Sequence, residues 1–207
     1  MAIISNGTTI ANAGAFSVNL GSMVLIKSLT ASSSGNLSFV NGASSVVLDS
    51  TYPVYKIDFI NIHPQTDAQH LGFQVSTNGG SSYGVAITST LFRGYHNEGG
   101  SASGLAYRED YHLAQSTSIV PLSDGIATGN DADQCVSGSI FLFDPSSTTF
   151  VKHFIVEFQE AHQLEYSIHG FIGGYVNSTS AVNAIKFSMS SGNIDAGKLK
   201  LYGIKDS

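Results

Sequence analysis

Seven histidines, at positions 63, 70, 96, 112, 153, 162 and 169, are the residues most suited to metal or acid-base chemistry in this chain. Their spacing offers no local pair. No HxH, HxxxH or HExxH arrangement would set two imidazoles on one ion, so no metal and no cofactor is expected. Asn130, Asp131 and Asp133 resemble part of a calcium loop but lack the accompanying Gly and distal Glu, and they read as a turn. Glu157, Glu160 and Glu165 with Glu109 and Asp110 contain enough carboxylates for glycoside hydrolysis, a reaction decided by the separation of two acids that spacing across strands does not give. The sequence has no GxSxG and no phosphate-binding loop. The lone Cys135, just ahead of Val136, reads as a small core residue at a strand start. We therefore expect no catalytic residue and a non-enzymatic protein. The groups left for recognition are aromatic: Tyr95, His96, Tyr107, Tyr111 and His112 fall in an irregular middle stretch, where ring faces can stack on a sugar or close one end of a β-sandwich.

The elements that must carry these residues are strands. Tyr55, Ile57 and Phe59 alternate with polar neighbours before the apolar phase moves to Ile60 and Ile62, which implies a bulge or a strand crossing between sheets. Short β-rich runs (MVLIKSLT, LSFV, SVVLD) come earlier. Leu71, Phe73 and Val75 alternate ahead of STNGGSSY, a hairpin signal leading into a strand over residues 83–88 with which they should pair. Residues 93–104 read as a loop and LAYREDYHLAQ as the only plausible helical turn. Strands return over 135–143, 150–158 and 165–176. Phe150, Phe154, Val156 and Phe158 are expected on one core face, interrupted by Lys152. Residues 180–205 read as a terminal hairpin, with Ile185, Phe187 and Met189 in one arm, Leu199 and Leu201 in the other, and SSGNIDAG reversing the chain. The sum is an all-β, antiparallel, jelly-roll-like β-sandwich of about ten strands with very little helix.

Composition narrows the partners. Of 207 residues only 12% are charged, and 9 Lys+Arg against 15 Asp+Glu leave a net charge of −6. That balance argues against nucleic acid and against an anionic membrane, both of which need basic surface. No run reaches membrane-spanning length, and the N-terminal stretch lacks the basic start of a secretory signal. Residues 23–207 fit one domain, and residues 1–22 differ: they are small, uncharged and punctuated by Gly and Asn. Ile3, Ile4, Ile10, Phe16, Val18 and Leu20 are spaced along this segment as on an arm that docks to another surface.

The runs DSTYPVYKIDFINIHPQTD, QCVSGSIFLFDPSSTTFVKHFI and NAIKFSMSSGNIDAGKLKLYGIK resemble a family of structural proteins of marine tailed phages such as cyanophages, over residues 23–205. Members are described as tail-fibre or other virion structural proteins. The resemblance implies a virion component, assembled in the host cytoplasm, and carries no site residue. It implies a particle partner such as the major capsid or tail protein, while the weakly charged surface suits a homo-oligomer, most simply a trimer. Two roles are expected: decoration or stabilisation of the particle surface through the N-terminal arm, or a tail or head fibre domain that binds a host-surface glycan.

Overall fold

The structure, a computed structural model, describes residues 2–5, 8–12, 15–16, 22–124 and 128–206; side-chain surroundings are described for Ile4 and from residue 22 onward. In chain order the strands are β1 (Ala2–Ser5), β2 (Thr8–Asn12), β3 (Ala15–Phe16), β4 (Met23–Thr30), β5 (Leu37–Val40), β6 (Val54–Pro64), β7 (Leu71–Ser76), β8 (Ile87–Asn97), β9 (Ser103–Tyr107), β10 (Leu113–Ser116), β11 (Val120–Pro121), β12 (Val136–Phe143), β13 (Lys152–His162), β14 (Tyr166–Val176), β15 (Ala184–Met189) and β16 (Ile194–Ile204). The expected helical turn is a single 3₁₀ turn at Glu109–Tyr111. β1–β3 form a sheet of their own. The remaining strands make an antiparallel β-sandwich, as expected.

One sheet has nine strands, in the order β10-β8-β14-β13-β12-β6-β16-β4 with β9 also on β8, and the other has four, β11-β7-β15-β5. Alternation builds the core between them. β13 buries Phe154, Val156, Phe158 and Glu160 while the residues between them face out. Phe158 sits in register with Gly138 on one side and Gly170 on the other. A Cβ at Gly170 would enter the Phe158 ring, so glycine on the flanking strand is what lets this ring lie flat in the core. Phe73 of the small sheet meets Phe154 of the large one edge-on, at 5.2 Å and 89°, and ties the layers together. Each buried ring of this size contributes roughly 1.5–3 kcal/mol.

The expected phase change in β6 is a bulge. Its register against β12 shifts between Val136 and Gly138, and Asn61 takes a left-handed φ of 48° with its backbone N–H donated to Ser137 Oγ at 2.8 Å.

Several local expectations are corrected. The terminal pair is no hairpin: β15 pairs with β5 and β7 in the small sheet, whereas β16 pairs with β4 and β6 in the large one. Residues 190–193 reverse the chain and also hand it from one layer to the other. The same correction applies to β7 and β8, which lie in different sheets. The run RGYH is strand, because β8 continues to Asn97 and forms a hairpin with β9. SVVLD is not a strand, although Val46 and Leu48 are buried. Phe150 is 70% exposed, and the buried residue at the start of that face is Lys152. Cys135 is half-buried just outside β12.

Candidate functional site

Nine strands are wider than four, so the small sheet leaves part of the large sheet's inner face open beyond its β11 edge. Arg93 and Tyr95 on β8, and Tyr166 and Ile168 on β14, line a cleft of about 360 Å³ there, together with Arg108, Asp124, His162, Gln163 and Leu164. Their placement follows from register. Tyr95 stands opposite Ile168, which stands opposite Glu160 of β13, so this row points inward.

The charges in the cleft are unusual for this chain. Arg93 and Arg108 are its only two arginines, and both reach the same carboxylate. Arg93 Nη1 pairs with Asp124 Oδ2, and Arg108 Nε lies 3.2 Å from Asp124 Oδ1. The Asp124 side chain is only 3% exposed, those of Arg93 and Arg108 14% and 23%. Arg93 Nε, Arg108 Nε and Asp124 Oδ1 are buried yet have no well-formed hydrogen bond, the Arg108–Asp124 contact being out of line. Tyr rings back the cations: the Arg93 guanidinium lies 4.9 Å from the Tyr95 ring centre and that of Arg108 lies 4.8 Å from Tyr111. Burial, and then the neighbouring Arg108, lower the pKa of Arg93.

Behind the cleft Glu160 is buried with both oxygens occupied. Asp124 donates its backbone N–H to Oε2 at 2.8 Å and Thr128 Oγ1 lies 2.6 Å from Oε1. Burial raises its pKa to about 7, against the opposing pull of the Thr128 hydrogen bond and Arg93. His162 is pushed down to about 4 by burial and by the two arginines, and its Nδ1 accepts the Leu164 N–H at 3.0 Å, which requires that nitrogen to be unprotonated. At neutral pH the cleft thus holds the Arg93–Asp124–Arg108 group with a half-ionised acid behind it. Each Glu160 oxygen already accepts a hydrogen bond, and Asp124 is held by the two arginines.

The sequence-derived residues are divided by the fold. Tyr95 lines the cleft, whereas His96 is exposed at the end of β8. Tyr107 and His112 stack on each other at 6.1 Å, and Tyr111 packs partly on the core beneath Arg108. Of the acids weighed for hydrolysis, Glu157 is exposed and paired with His169 at 3.1 Å, and Glu165 accepts from Gln134. Burial, then Asp133, raises the Cys135 thiol pKa. Asn130 anchors its loop by donating its backbone N–H to Asp67, and among the described residues no three His, Cys, Asp or Glu side chains gather to hold an ion. Ile4 is 61% exposed; Val18 and Leu20, and the side chains of Ile3, Ile10 and Phe16, lie outside the described residues. Sequence reading missed Arg93, Arg108, Asp124, His162 and Tyr166 as a group. The available signal was the scarcity of arginine itself.

A second feature lies on the outer face of the large sheet. Gly173, Ile155, Phe141, Lys56, Tyr202 and Leu25 stand in one row across six strands, and Tyr175, His153, Phe143, Val54, Ile204 and Met23 lie alongside. Ile155, Leu25 and Met23 are 54%, 52% and 50% exposed. The long stem of Lys56 covers Phe141, its Nζ 5.8 Å from the ring centre. Sheet faces open to water are ordinarily polar, whereas this row, Lys56 apart, carries no charge.

The fold and cleft define an antiparallel β-sandwich with a half-buried arginine pair at one end. No protein-family model matches the chain, and no curated protein matches it. Among the described residues no helix is long and apolar enough to cross a membrane.

Proposed function

We propose that this chain is a non-enzymatic structural component of a phage particle, displayed on the virion surface as a homo-oligomer. The observation that carries the reading is the apolar row on the outer face of the large sheet. A second copy is the occupant this face suits. The two ends of the row, Gly173 on β14 and Leu25 on β4, carry different residues, so one end of a copy can meet the other end of the next in a closed ring. Three copies are the expected number, and the N-terminal segment is the expected attachment to a capsid or tail protein. Light scattering at micromolar concentration tests the assembly: a mass near three times 21.7 kDa is expected. Phe141→Lys with Leu25→Lys should yield monomers with an unchanged melting temperature. A monomeric wild-type protein would end this reading of the face, and absence of the chain from purified particles would end the virion assignment.

The cleft favours a second role, attachment to a host-surface glycan. Its arginines and tyrosines supply an ionic anchor beside aromatic faces at one end of the sandwich. Binding on a glycan array is the expected result, and unaltered host adsorption after Tyr107→Ala and Tyr111→Ala would remove those two residues from the contact.

A further inference from the structure

We infer that the cleft between β8, β14 and residues 122–124 recognises a carboxylate-bearing sugar, a hexuronic acid within an acidic saccharide. The inference rests on the glycan-binding reading and names the ligand class for it. Three observations lead there, each from a different property of the site.

The first is donor supply. Arg93 Nε and Arg108 Nε are buried without a proper acceptor, and Asp124 is too small to satisfy two guanidinium groups. Each guanidinium carries five N–H donors in a planar fork that matches a planar carboxylate. A ligand carboxylate entering the cleft meets the guanidinium edges that stay exposed, on side chains 14% and 23% accessible, and shares the load that Asp124 carries alone.

The second is charge count. Two guanidinium groups share the one carboxylate of Asp124, His162 is pushed toward its neutral form, and Glu160 is half-ionised, so the cleft keeps a fraction of a positive charge at neutral pH in a protein of net charge −6. A small positive excess suits a monoanion. A phosphate monoester, nearly a dianion at that pH, would be left undercompensated in a partly desolvated site.

The third is shape. The cleft is near the small end of the range of about 300–1,000 Å³ in which ligand sites fall, enough for one or two sugar rings. Tyr95 and Tyr166, with ring centres 6.1 Å apart and tilted by 57°, form a corner of aromatic surface beside the arginines. A pyranose carboxylate is attached directly to the ring, so an acid seated on Arg93 and Arg108 holds its ring against that corner.

The chain's two arginines make the test direct, because a ¹⁵N spectrum of the full-length protein contains only two arginine Nε–H resonances. Titration with methyl β-D-glucuronide and a glucuronate-containing tetrasaccharide should shift both resonances saturably, while methyl β-D-glucoside leaves them in place. Arg108→Gln should weaken acidic saccharide binding about tenfold or more. Leu164 is 64% exposed at the rim, so Leu164→Glu alters the approach without touching the core. It should weaken binding several-fold, and more than the uncharged Leu164→Gln does. No saturable shift with either acid, or equal shifts from acid and neutral sugars, would overturn the assignment. Acetate or inorganic phosphate binding as tightly as the uronide would overturn its sugar part. Neutral-glycan binding that survives Arg108→Gln leaves the attachment role standing and ends only this inference.

Discussion

Strand β13 buries an ionisable side chain near each end of the same inner face, and the two are treated in opposite ways. At its start Lys152 is wholly buried, and its ammonium donates to the carbonyls of Phe150 at 3.0 Å and Ser178 at 3.1 Å. There the charge is answered by backbone carbonyls. At the other end Glu160 is also sealed, but in front of it the Arg93–Asp124–Arg108 group keeps three buried polar atoms without a proper partner beside a solvent-connected cleft. Buried polar groups are normally paired, since an orphan costs about 1–3 kcal/mol. The difference separates a charge kept for the fold from charges kept for a ligand.

Removing the shared carboxylate should have the largest effect. Asp124→Ala leaves two guanidinium groups facing each other, and losing one partner of a buried ion pair typically costs about 3–5 kcal/mol. The lower end applies, because both arginines reach water through the cleft. Chemical denaturation should show that loss, and a few hundred millimolar acetate should restore part of it, since a free carboxylate can enter where Asp124 stood. The Lys152 side chain has no exposed surface, so an added amine should restore a variant there less than acetate restores Asp124→Ala. Rescue at neither end would erase the distinction drawn between them.

Titration sharpens the comparison next. Glu160 has a folded pKa of about 7 against 4.5 unfolded, so the folded state holds its proton longer and stability falls as pH rises from 4.5 to 7. His162 has a folded pKa of about 4 against 6.5, so the folded state gives up its proton earlier and stability rises from pH 4 to 6.5. The windows overlap and the signs oppose, so these two groups leave the wild-type profile nearly flat. Glu160→Gln can keep both contacts, its carbonyl accepting the Asp124 N–H and its amide donating to Thr128 Oγ1. It should unmask the rise and gain on the order of 2 kcal/mol above pH 7. His162→Gln should unmask the fall. A Glu160→Gln profile that stays flat would contradict the raised pKa.

Sequence alone carried the architecture further than the connections or the cleft. Alternation in β6, β12, β13 and β14 is strong because those strands have one apolar and one mixed face, and the Ile60–Ile62 phase shift marked the Asn61 bulge. The hairpin readings failed for a common reason. Turn chemistry at residues 77–82 and 190–193 reports that the chain reverses, and a reversal within one sheet or across two uses the same Gly, Asn and Ser residues. Lys152 broke the pattern in the opposite sense: its stem is apolar enough to fill a core position once two carbonyls receive its head. The cleft was hidden because its parts are dispersed through positions 93, 95, 108, 124, 162 and 166, joined only by sheet register and by the loop after β11. Tyr95 was found as an aromatic in a supposed loop. Arg93 carries no such signal, since a lone arginine in a sequence ordinarily sits on the surface.

The smallest effect is expected at the closed end. Lys152→Met fills nearly the same volume and abolishes the cost of burying an ammonium, but leaves the Phe150 and Ser178 carbonyls without their donor. These contributions oppose each other, so a net loss of about 1 kcal/mol is expected at pH 7. The alkaline limb separates them. Burial lowers the folded pKa of Lys152 from its ordinary 10.5, only partly offset by Asp144, so the unfolded chain binds the proton more tightly. Stability from this group therefore rises as pH climbs from the lowered folded value toward 10.5, where both states become neutral. Lys152→Met should lose that rise while matching the wild-type profile between pH 4 and 7, where only Glu160 and His162 titrate among the shifted groups. A variant that keeps the alkaline rise, or that binds the acidic saccharide differently from wild type, would show that the two ends of β13 are not independent.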